Sequence, residues 1–441
     1  MDPNQIIALS SLVALFLILL AGIPVGFSLA IIGFVFGYIG FGADLFNFIP
    51  GRIFGVVTNY TLLAIPLFVF MGVMLQKSRV AEDLLDVVGH LFTSLRGGMG
   101  LAVILIGMLM GAATGIVGAT VVTLGLLALP TLLRRGYNKR LACGAICASG
   151  TLGQIIPPSL ILIVLGDIMG VPVGTLFAAA LFPGLLLTAT YGAYMLIIGM
   201  VFPDSAPPIP LAERNAVSNR ELALKVVKVL LPPLALITAV LGSIIGGIAA
   251  PTEAASVGAL GSILVVAMSG RLTRSVLTDT VQTTTKISAM VMFILVAAQV
   301  FSLSFRGLGG DELVQKTFDI VPASIDAQVL LLLLVLFLLG FFLEWIEISY
   351  VALPLFLPVF HAAGVDLVWL ATLVCLNLQT SYLTPPFGWA LFFLKGVSPP
   401  QISTSDIYLG VIPFIGMQIA VLAMLFLFPG IATWLPRAIG W

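Results

Sequence analysis

An apolar run that otherwise reads as membrane helix is interrupted at Cys147-Ala148-Ser149-Gly150-Thr151-Leu152-Gly153-Gln154-Ile155-Ile156-Pro157-Pro158-Ser159. Glycine weakens a helix, and proline removes an amide donor and clashes with the preceding turn. The composition of this stretch predicts a helix that unwinds within the membrane. Unwound backbone is tolerated there only where protein buries it or where it lines a polar cavity. The interruption therefore demands neighbours that enclose it.

The same pattern returns 228 residues later, at Cys375-Leu376-Asn377-Leu378-Gln379-Thr380-Ser381-Tyr382-Leu383-Thr384-Pro385-Pro386-Phe387. That offset also relates Pro130 to Pro358, Gly136 to Gly364 and Cys147 to Cys375. A Gly/Pro-interrupted hydrophobic segment in corresponding positions of two halves is the sequence signature of a transporter binding site.

Composition fixes the solvent. The chain is 60% hydrophobic and 9% charged, with a mean hydropathy of +1.20. Repeated apolar runs of this kind mean membrane helices, and no stretch is polar enough for a separate soluble domain. No basic patch suggests nucleic acid. Cys143, Cys147 and Cys375 lie in predicted helices without disulfide or metal spacing and read as small packing residues. Residues 6–22 read as a retained first helix, since Met1 to Gln5 carries no basic region and no clear cleavage site follows.

In chain order, helices are expected over about 6–22, 25–41 and 60–76, with a short mixed segment at 44–58. Over 79–96, Leu84, Leu85, Val88, Leu91, Phe92 and Leu95 recur at helical spacing, with Glu82, Asp83, Asp86, His90 and Arg96 between them. That pattern predicts an amphipathic helix at the interface. Residues 99–133 are uncharged; as one helix they would be roughly 52 Å long, against a hydrocarbon core of about 30 Å. A re-entrant hairpin with its tip at Gly111 to Gly118 resolves the mismatch. The first interrupted helix follows at about 139–168, then a helix at about 174–201. A loop from Pro203 to Arg220, with further prolines at 207, 208 and 210, joins the halves.

The second half repeats the order: helices at about 224–244 and 246–268, an interfacial piece at 271–282, a helix at 284–304 and a charged segment at 306–319. A second hairpin follows at about 323–362, tipped by Leu343 to Ser349, then an interrupted helix at 367–395 and a last helix at 407–434. Each half then holds five crossings and a hairpin. Five is odd, so the halves enter from opposite sides as an inverted repeat. With the N-terminus outside, only Arg52, Arg306, Lys316 and Arg437 of the 19 basic residues fall outside. The other fifteen, including Arg79 and Arg214, fall inside, a strong positive-inside bias.

Few polar atoms are available near the midplane. One group is Thr114, Gly115, Ser149, Gly150, Thr151, Gly153, Gln154 and Pro157; the other is Glu344, Trp345, Glu347, Ser349, Asn377, Gln379, Thr380, Ser381 and Thr384. Unwound helices free carbonyls suited to Na+, and half-helix N-termini attract carboxylates. One Na+/substrate site per half, at hairpin tip and helix interruption, is the functional expectation. The plain alternative is that these small residues only allow close helix packing. Glu344 and Glu347 are candidates to tune an ion site, to take a proton, or to sit in a wet mouth without a role. Glu253, after Pro251-Thr252, reads as a helix cap. Asp167 reads as a solvated helix end; Arg306 could attract an anionic substrate from outside but reads rather as a solvated interfacial arginine.

Gly22-Ile23-Pro24-Val25-Gly26, Ala64-Ile65-Pro66-Leu67-Phe68, Gly150-Thr151-Leu152-Gly153 with Ile156-Pro157-Pro158-Ser159, and Pro251-Thr252-Glu253-Ala254-Ala255 resemble the large membrane subunit of tripartite ATP-independent periplasmic (TRAP) transporters. Leu343-Glu344 followed by Leu353-Pro354-Leu355-Phe356-Leu357-Pro358 resembles that family's second hairpin, although the family often has Asp where Glu344 stands. The resemblance runs nearly end to end. It implies an all-α polytopic membrane protein of the bacterial cytoplasmic (inner) membrane, N-terminus periplasmic. The fold would be an inverted-repeat ion-transporter fold with two re-entrant hairpins and two broken helices. It implies Na+-coupled uptake of carboxylates with no other cofactor. The implied partners are a small four-helix membrane subunit and a periplasmic substrate-binding protein. An elevator is implied as well: residues 1–96 and 224–320 as scaffold, 97–201 and 321–441 as the moving transport domain, and 202–223 as a cytoplasmic linker.

Two rivals remain to be weighed. A stand-alone Na+/dicarboxylate carrier would share the hairpins and need no binding protein. A membrane enzyme would need a catalytic dyad, a metal set or an acid-rich site; no such spacing occurs, and Glu344 with Glu347 is the one close acid pair in a hairpin tip, so the chain does not read as an enzyme.

Overall fold

The computed structural model describes residues 2–78, 80–92, 94–208, 218–319 and 324–441. Arg79, Arg214, Pro210 and the expected start of the second hairpin at 323 lie outside the described residues. Everything regular among the described residues is helical. Among the described residues, ten helices are long and apolar enough to cross a membrane.

The first half runs through α1 (Pro3–Leu20), α2 (Val25–Phe41), α3 (Leu45–Val57), α4 (Ala64–Lys77) and α5 (Val80–Leu91). It continues with α6 (Gly98–Thr114), α7 (Val117–Arg134), α8 (Lys139–Thr151), α9 (Leu160–Met169) and α10 (Val173–Val201). The mixed segment at 44–58 is thus a helix, α3, with Pro50 inside it. In the second half α11 (Arg220–Ile245) leads to α12 (Pro251–Met268), α13 (Arg274–Gly307), α14 (Gly310–Asp319) and α15 (Ile325–Leu339). Then come α16 (Trp345–Ala362), α17 (Leu367–Leu383), α18 (Trp389–Val397), α19 (Thr404–Leu427) and α20 (Gly430–Ala438).

Two expectations are corrected here. The interfacial piece at 271–282 and the helix at 284–304 are one 34-residue helix, α13. The polar Thr-rich stretch marks a change of surroundings, but no proline or glycine lies within it to stop a helix. Conversely, the last helix ends at Leu427, and α20 starts afresh after Phe428-Pro429, because the proline cannot donate to the carbonyl ladder.

Proline also sets two wide turns. The backbone makes a π turn at Val226–Leu230, just before Pro232-Pro233, and another at Ile348–Ala352, just before Pro354. A widened turn makes room where the proline ring would otherwise strike the carbonyl four residues back.

Two packing groups form. In one, α2 lies along α13, and α4 packs against α12 and α13. Glycines bring α2 close: a Cβ on Gly33 would come within 2.8 Å of the Phe301 nitrogen, and the Ser304 hydroxyl donates to the Gly33 carbonyl at 2.6 Å. In the other, α8 sits among α6, α7 and α19, while α17 sits among α15, α10 and α19. The interrupted helices are its centre: every residue from 141 to 166 and from 369 to 383 is buried. The surface of α1 is the opposite, with Ile6, Leu9, Val13, Leu17 and Leu20 exposed along one side, as a lipid-facing stripe requires.

Candidate functional site

The site begins with the unwound stretch between α8 and α9. Ile155 and Ile156 amides both return to the Leu152 carbonyl. Pro157 and Pro158 bring no amide to satisfy, and the peptide bond between them is cis, as is that between Pro385 and Pro386. The Gln154 carbonyl accepts from the Ser159 hydroxyl and from the Cys375 thiol at 3.3 Å. A backbone group freed by one interruption is thus satisfied by a side chain of the other segment, which is how irregular backbone survives away from water.

The two segments also meet through side chains 228 residues apart: the Gln379 amide donates to the Thr151 hydroxyl at 3.3 Å. Around that bond, both polar atoms of the Gln154 side chain and Oε1 of Gln379 are buried without a hydrogen-bond partner among the described residues. Buried amides normally find partners. Unpaired acceptor oxygens beside unwound carbonyls suit a hard cation.

Each interruption is pressed by a helical hairpin. Gly111 of α6 packs on Gly153 so closely that a Cβ on Gly111 would lie 2.5 Å from the Gly153 Cα. In the second half Gly340, just after α15, packs on Ser381, the position 228 residues after Gly153. The first hairpin turns at Thr114-Gly115-Ile116, nearly centred in the expected 111–118. Gly115 adopts φ +62° there, a conformation that side chains with a Cβ resist. Thr114 closes the turn, accepting from the Ile116 amide at 3.3 Å and sharing a 3.2 Å bond with Thr120. The second hairpin turns at 340–344. There the Glu344 amide donates to the Glu347 carboxylate at 2.9 Å, and the Trp345 amide donates to the Tyr382 hydroxyl at 3.3 Å.

The two tips share one cavity of about 410 Å³. Its wall includes Gly115 and Ile116 of the first tip, Glu344 and Trp345 of the second, Tyr382 of α17, Phe393 of α18 and Ile287 of α13. Cavity volumes of this size are typical of small-molecule sites.

The structure brings some expected residues together and separates others. Gly115, Glu344 and Trp345 line the cavity. Thr151 and Gln379 do not line it but bond each other, with Gly153 against α6 and Gly150 against Val121 of α7. Ser149 donates to the Ile146 carbonyl and faces Gly107. Pro157 lies in the unwound turn. Ser381 donates to the Leu378 carbonyl and Thr384 to the Thr380 carbonyl. Thr380 and Asn377 line a different, apolar cavity between α15, α17 and α19, because both sit on the side of α17 turned from the tips. Ser349 is fully buried without a hydroxyl partner among the described residues.

Sequence reasoning missed Tyr382, Phe393 and the α13 residues. Tyr382 carried a signal, as the one hydroxylated aromatic in either interrupted motif; a long-range contribution from α13 left none. One further expectation changes, that for Asp167, while Arg306 is exposed as expected. Asp167 is half-buried and accepts from the Asn59 amide group. Arg306 donates to the Pro354 carbonyl at 2.9 Å and lies 3.7 Å from Asp311. Glu253 behaves as expected, accepting from the Ala250 amide at 2.9 Å.

Interrupted helices enclosed by protein and met by two hairpin tips over a shared cavity define a membrane transporter. The fold resembles the crystal structure of the YdaH transporter of Alcanivorax borkumensis, with a TM-score of 0.64, 14% identity, and 96% of this chain and 98% of that chain covered. The family model described as tripartite ATP-independent periplasmic transporter, DctM component, matches residues 12–431, and the chain belongs to that family. It is 29% identical over 442 residues to the C4-dicarboxylate TRAP transporter large permease protein DctM of Vibrio cholerae, covering 95% of each. It is also 29% identical over 428 residues to that organism's sialic acid TRAP transporter large permease protein SiaM, covering 95% of this chain and 96% of the relative.

Proposed function

We propose that this chain is the permease of a Na+-coupled importer of organic acids, located in the bacterial cytoplasmic membrane with its N-terminus in the periplasm. A periplasmic binding protein delivers the substrate, and a small four-helix membrane subunit completes the assembly. The observation that carries the reading is the cavity walled by both hairpin tips, together with the Gln379–Thr151 bond that joins the two interrupted segments. The names of the relatives support an acid as cargo. The shared order of hairpin, interrupted helix and long helix in each half supports an inverted repeat.

Na+ would be held by freed carbonyls, hydroxyls and amides around Thr114, Gly115, Ser149 to Gly153 and Pro157 in one half, and Glu344, Gln379, Ser381 and Thr384 in the other. The unpaired oxygens of Gln154 and Gln379 fit a cation better than they fit apolar packing. Coupling follows from mass action: filling the ion sites fixes the geometry that receives the acid. The moving body in an elevator would be both hairpins, both interrupted helices, α10 and α19. It would slide against α1–α4 and α11–α13, and the re-entrant tips would carry the cavity past the barrier.

The test is uptake of labelled succinate and sialic acid into proteoliposomes holding this chain and its small subunit. An inward Na+ gradient is imposed with and without the cognate binding protein. Uptake that needs both Na+ and the binding protein is expected. Na+-driven uptake without the binding protein would make the chain a stand-alone carrier. Equal uptake with K+ in place of Na+ would end the ion-coupling claim.

A further inference from the structure

Asp167 lies away from the hairpin tips, at the boundary of the two packing groups. It stands on α9, half-buried, and accepts from the Asn59 side-chain amide. Asn59 comes just before α4, and its own side-chain oxygen accepts from the Thr61 amide at 2.9 Å. The nitrogen is therefore the end that Asn59 turns to Asp167. Among the described residues no ion pair holds Asp167, so its partner is this one neutral amide across the boundary. Any slide of α9 past Asn59 breaks that bond. An ionised group in a membrane segment is costly to leave without a partner.

A second donor stands on the moving side of the boundary. The end of α9 packs on the wide turn at Ile348–Ala352 of α16. Tyr350 of that turn is 4% exposed, and its hydroxyl has no hydrogen-bond partner among the described residues. The phenol is close enough to Asp167 for the two to interact electrostatically. Buried hydroxyls normally find partners. Resting on the sliding of the two packing groups proposed above, we infer that Tyr350 is a positioning residue: its hydroxyl takes over the Asp167 carboxylate when the slide carries Asp167 away from Asn59. Both residues belong to the moving body and travel together. The exchange keeps the carboxylate bonded in both positions and so keeps the two states close in free energy. Without it, the slid state would hold an unpaired charge and lose population.

The experiment measures a distance between the two groups in the permease with its small subunit. Spin labels are carried by Ser269→Cys, just after α12 of the scaffold, and Ser405→Cys, on α19; both positions are exposed, and the native thiols are buried. The parent should show two distances by pulsed electron resonance, one of them that of this structure. Tyr350→Phe removes only an unpaired hydroxyl, so it should fold as the parent does. It should shift the ratio toward the distance of this structure at least about tenfold and slow Na+-dependent uptake. Adding Asn59→Ala to it should bring the ratio back to within about threefold of the parent, since neither state then holds the bond. Asn59→Ala alone should shift the ratio less than about threefold, because Tyr350 then serves both positions. On an Asp167→Asn background, Tyr350→Phe should have little effect. Two distances whose ratio Tyr350→Phe leaves unchanged would overturn the inference and leave the sliding reading intact. A shift that Asn59→Ala does not reverse would overturn it too, since the tyrosine would then act through packing. A single distance in every condition, with and without Na+, acid and binding protein, would end the sliding reading itself and the inference with it.

Discussion

Gly153 shows how much a single residue constrains this molecule. In the sequence it is a loosening residue in a broken helix. In the fold it is also a contact, since Gly111 and Gly153 occupy the space that either side chain would need. Gly153→Val should therefore destabilise the protein by about 1–3 kcal/mol or shift the hairpin. Gly416→Ala, with open space around it, should be neutral or slightly stabilising; thermal unfolding of the two variants in detergent makes the comparison. The Gln379–Thr151 bond permits a sharper test at the same scale. Thr151→Val and Gln379→Leu should each lower Na+-dependent uptake, and the double variant should be little worse than either alone. Groups that share one bond are not additive; the coupling expected is about 0.5–1.5 kcal/mol. Full additivity in uptake and stability would mean that the bond is incidental.

At the scale of elements, amphipathic α5 was legible from its 3.6-residue pattern, but not what holds it. Arg271, in the turn before α13, pairs with Asp83 at 2.8 Å and donates to the Ser78 carbonyl at 3.2 Å. Both side chains of the pair are about a third exposed, so solvent screens it and its worth is about 1 kcal/mol or less. Arg271→Gln should leave the unfolding temperature nearly unchanged while speeding amide exchange across Val80–Leu91. Unchanged exchange there would show that apolar packing alone fixes α5. The continuous α13 teaches the complementary lesson. Polar residues in its first turns signal where the chain leaves lipid, whereas only glycine or proline signals where a helix ends. Capping was readable because it is local: Glu253 sits three residues after Ala250. Glu253→Ala should cost about 1 kcal/mol, seen as earlier unfolding of α12 in exchange measurements.

At the scale of the whole molecule, orientation rests on where the basic residues fall. Cys143, Cys147 and Cys375 are all buried, so the native thiols give little background to a membrane-impermeant maleimide. A cysteine at exposed Ala43 should label in intact spheroplasts, and one at exposed Ser269 only after permeabilisation. The reverse pattern would invert the topology and with it the side from which each hairpin enters. The two packing groups share apolar contacts between α4 and α6, and a few specific bonds also cross between them among the described residues. Asn59 donates to Asp167, Arg306 to the Pro354 carbonyl, and Gln76 to Thr123 at 3.3 Å. Asn59→Ala should therefore alter uptake rate more than thermal stability, if those groups slide during transport.

Sequence alone determined that this chain lives in a membrane, where most of its helices run, that two of them unwind, and that the two unwound motifs echo each other. Those properties are local or periodic: hydrophobic length, glycine and proline placement, and a constant offset of 228 residues. Tertiary structure alone decided which polar groups face one another. Thr380 points to one cavity and Tyr382 to another, although only one residue separates them, because a helix turns about 200° over two positions. The wall supplied by α13 comes from a distant part of the chain that no motif marks. That wall is therefore set by packing.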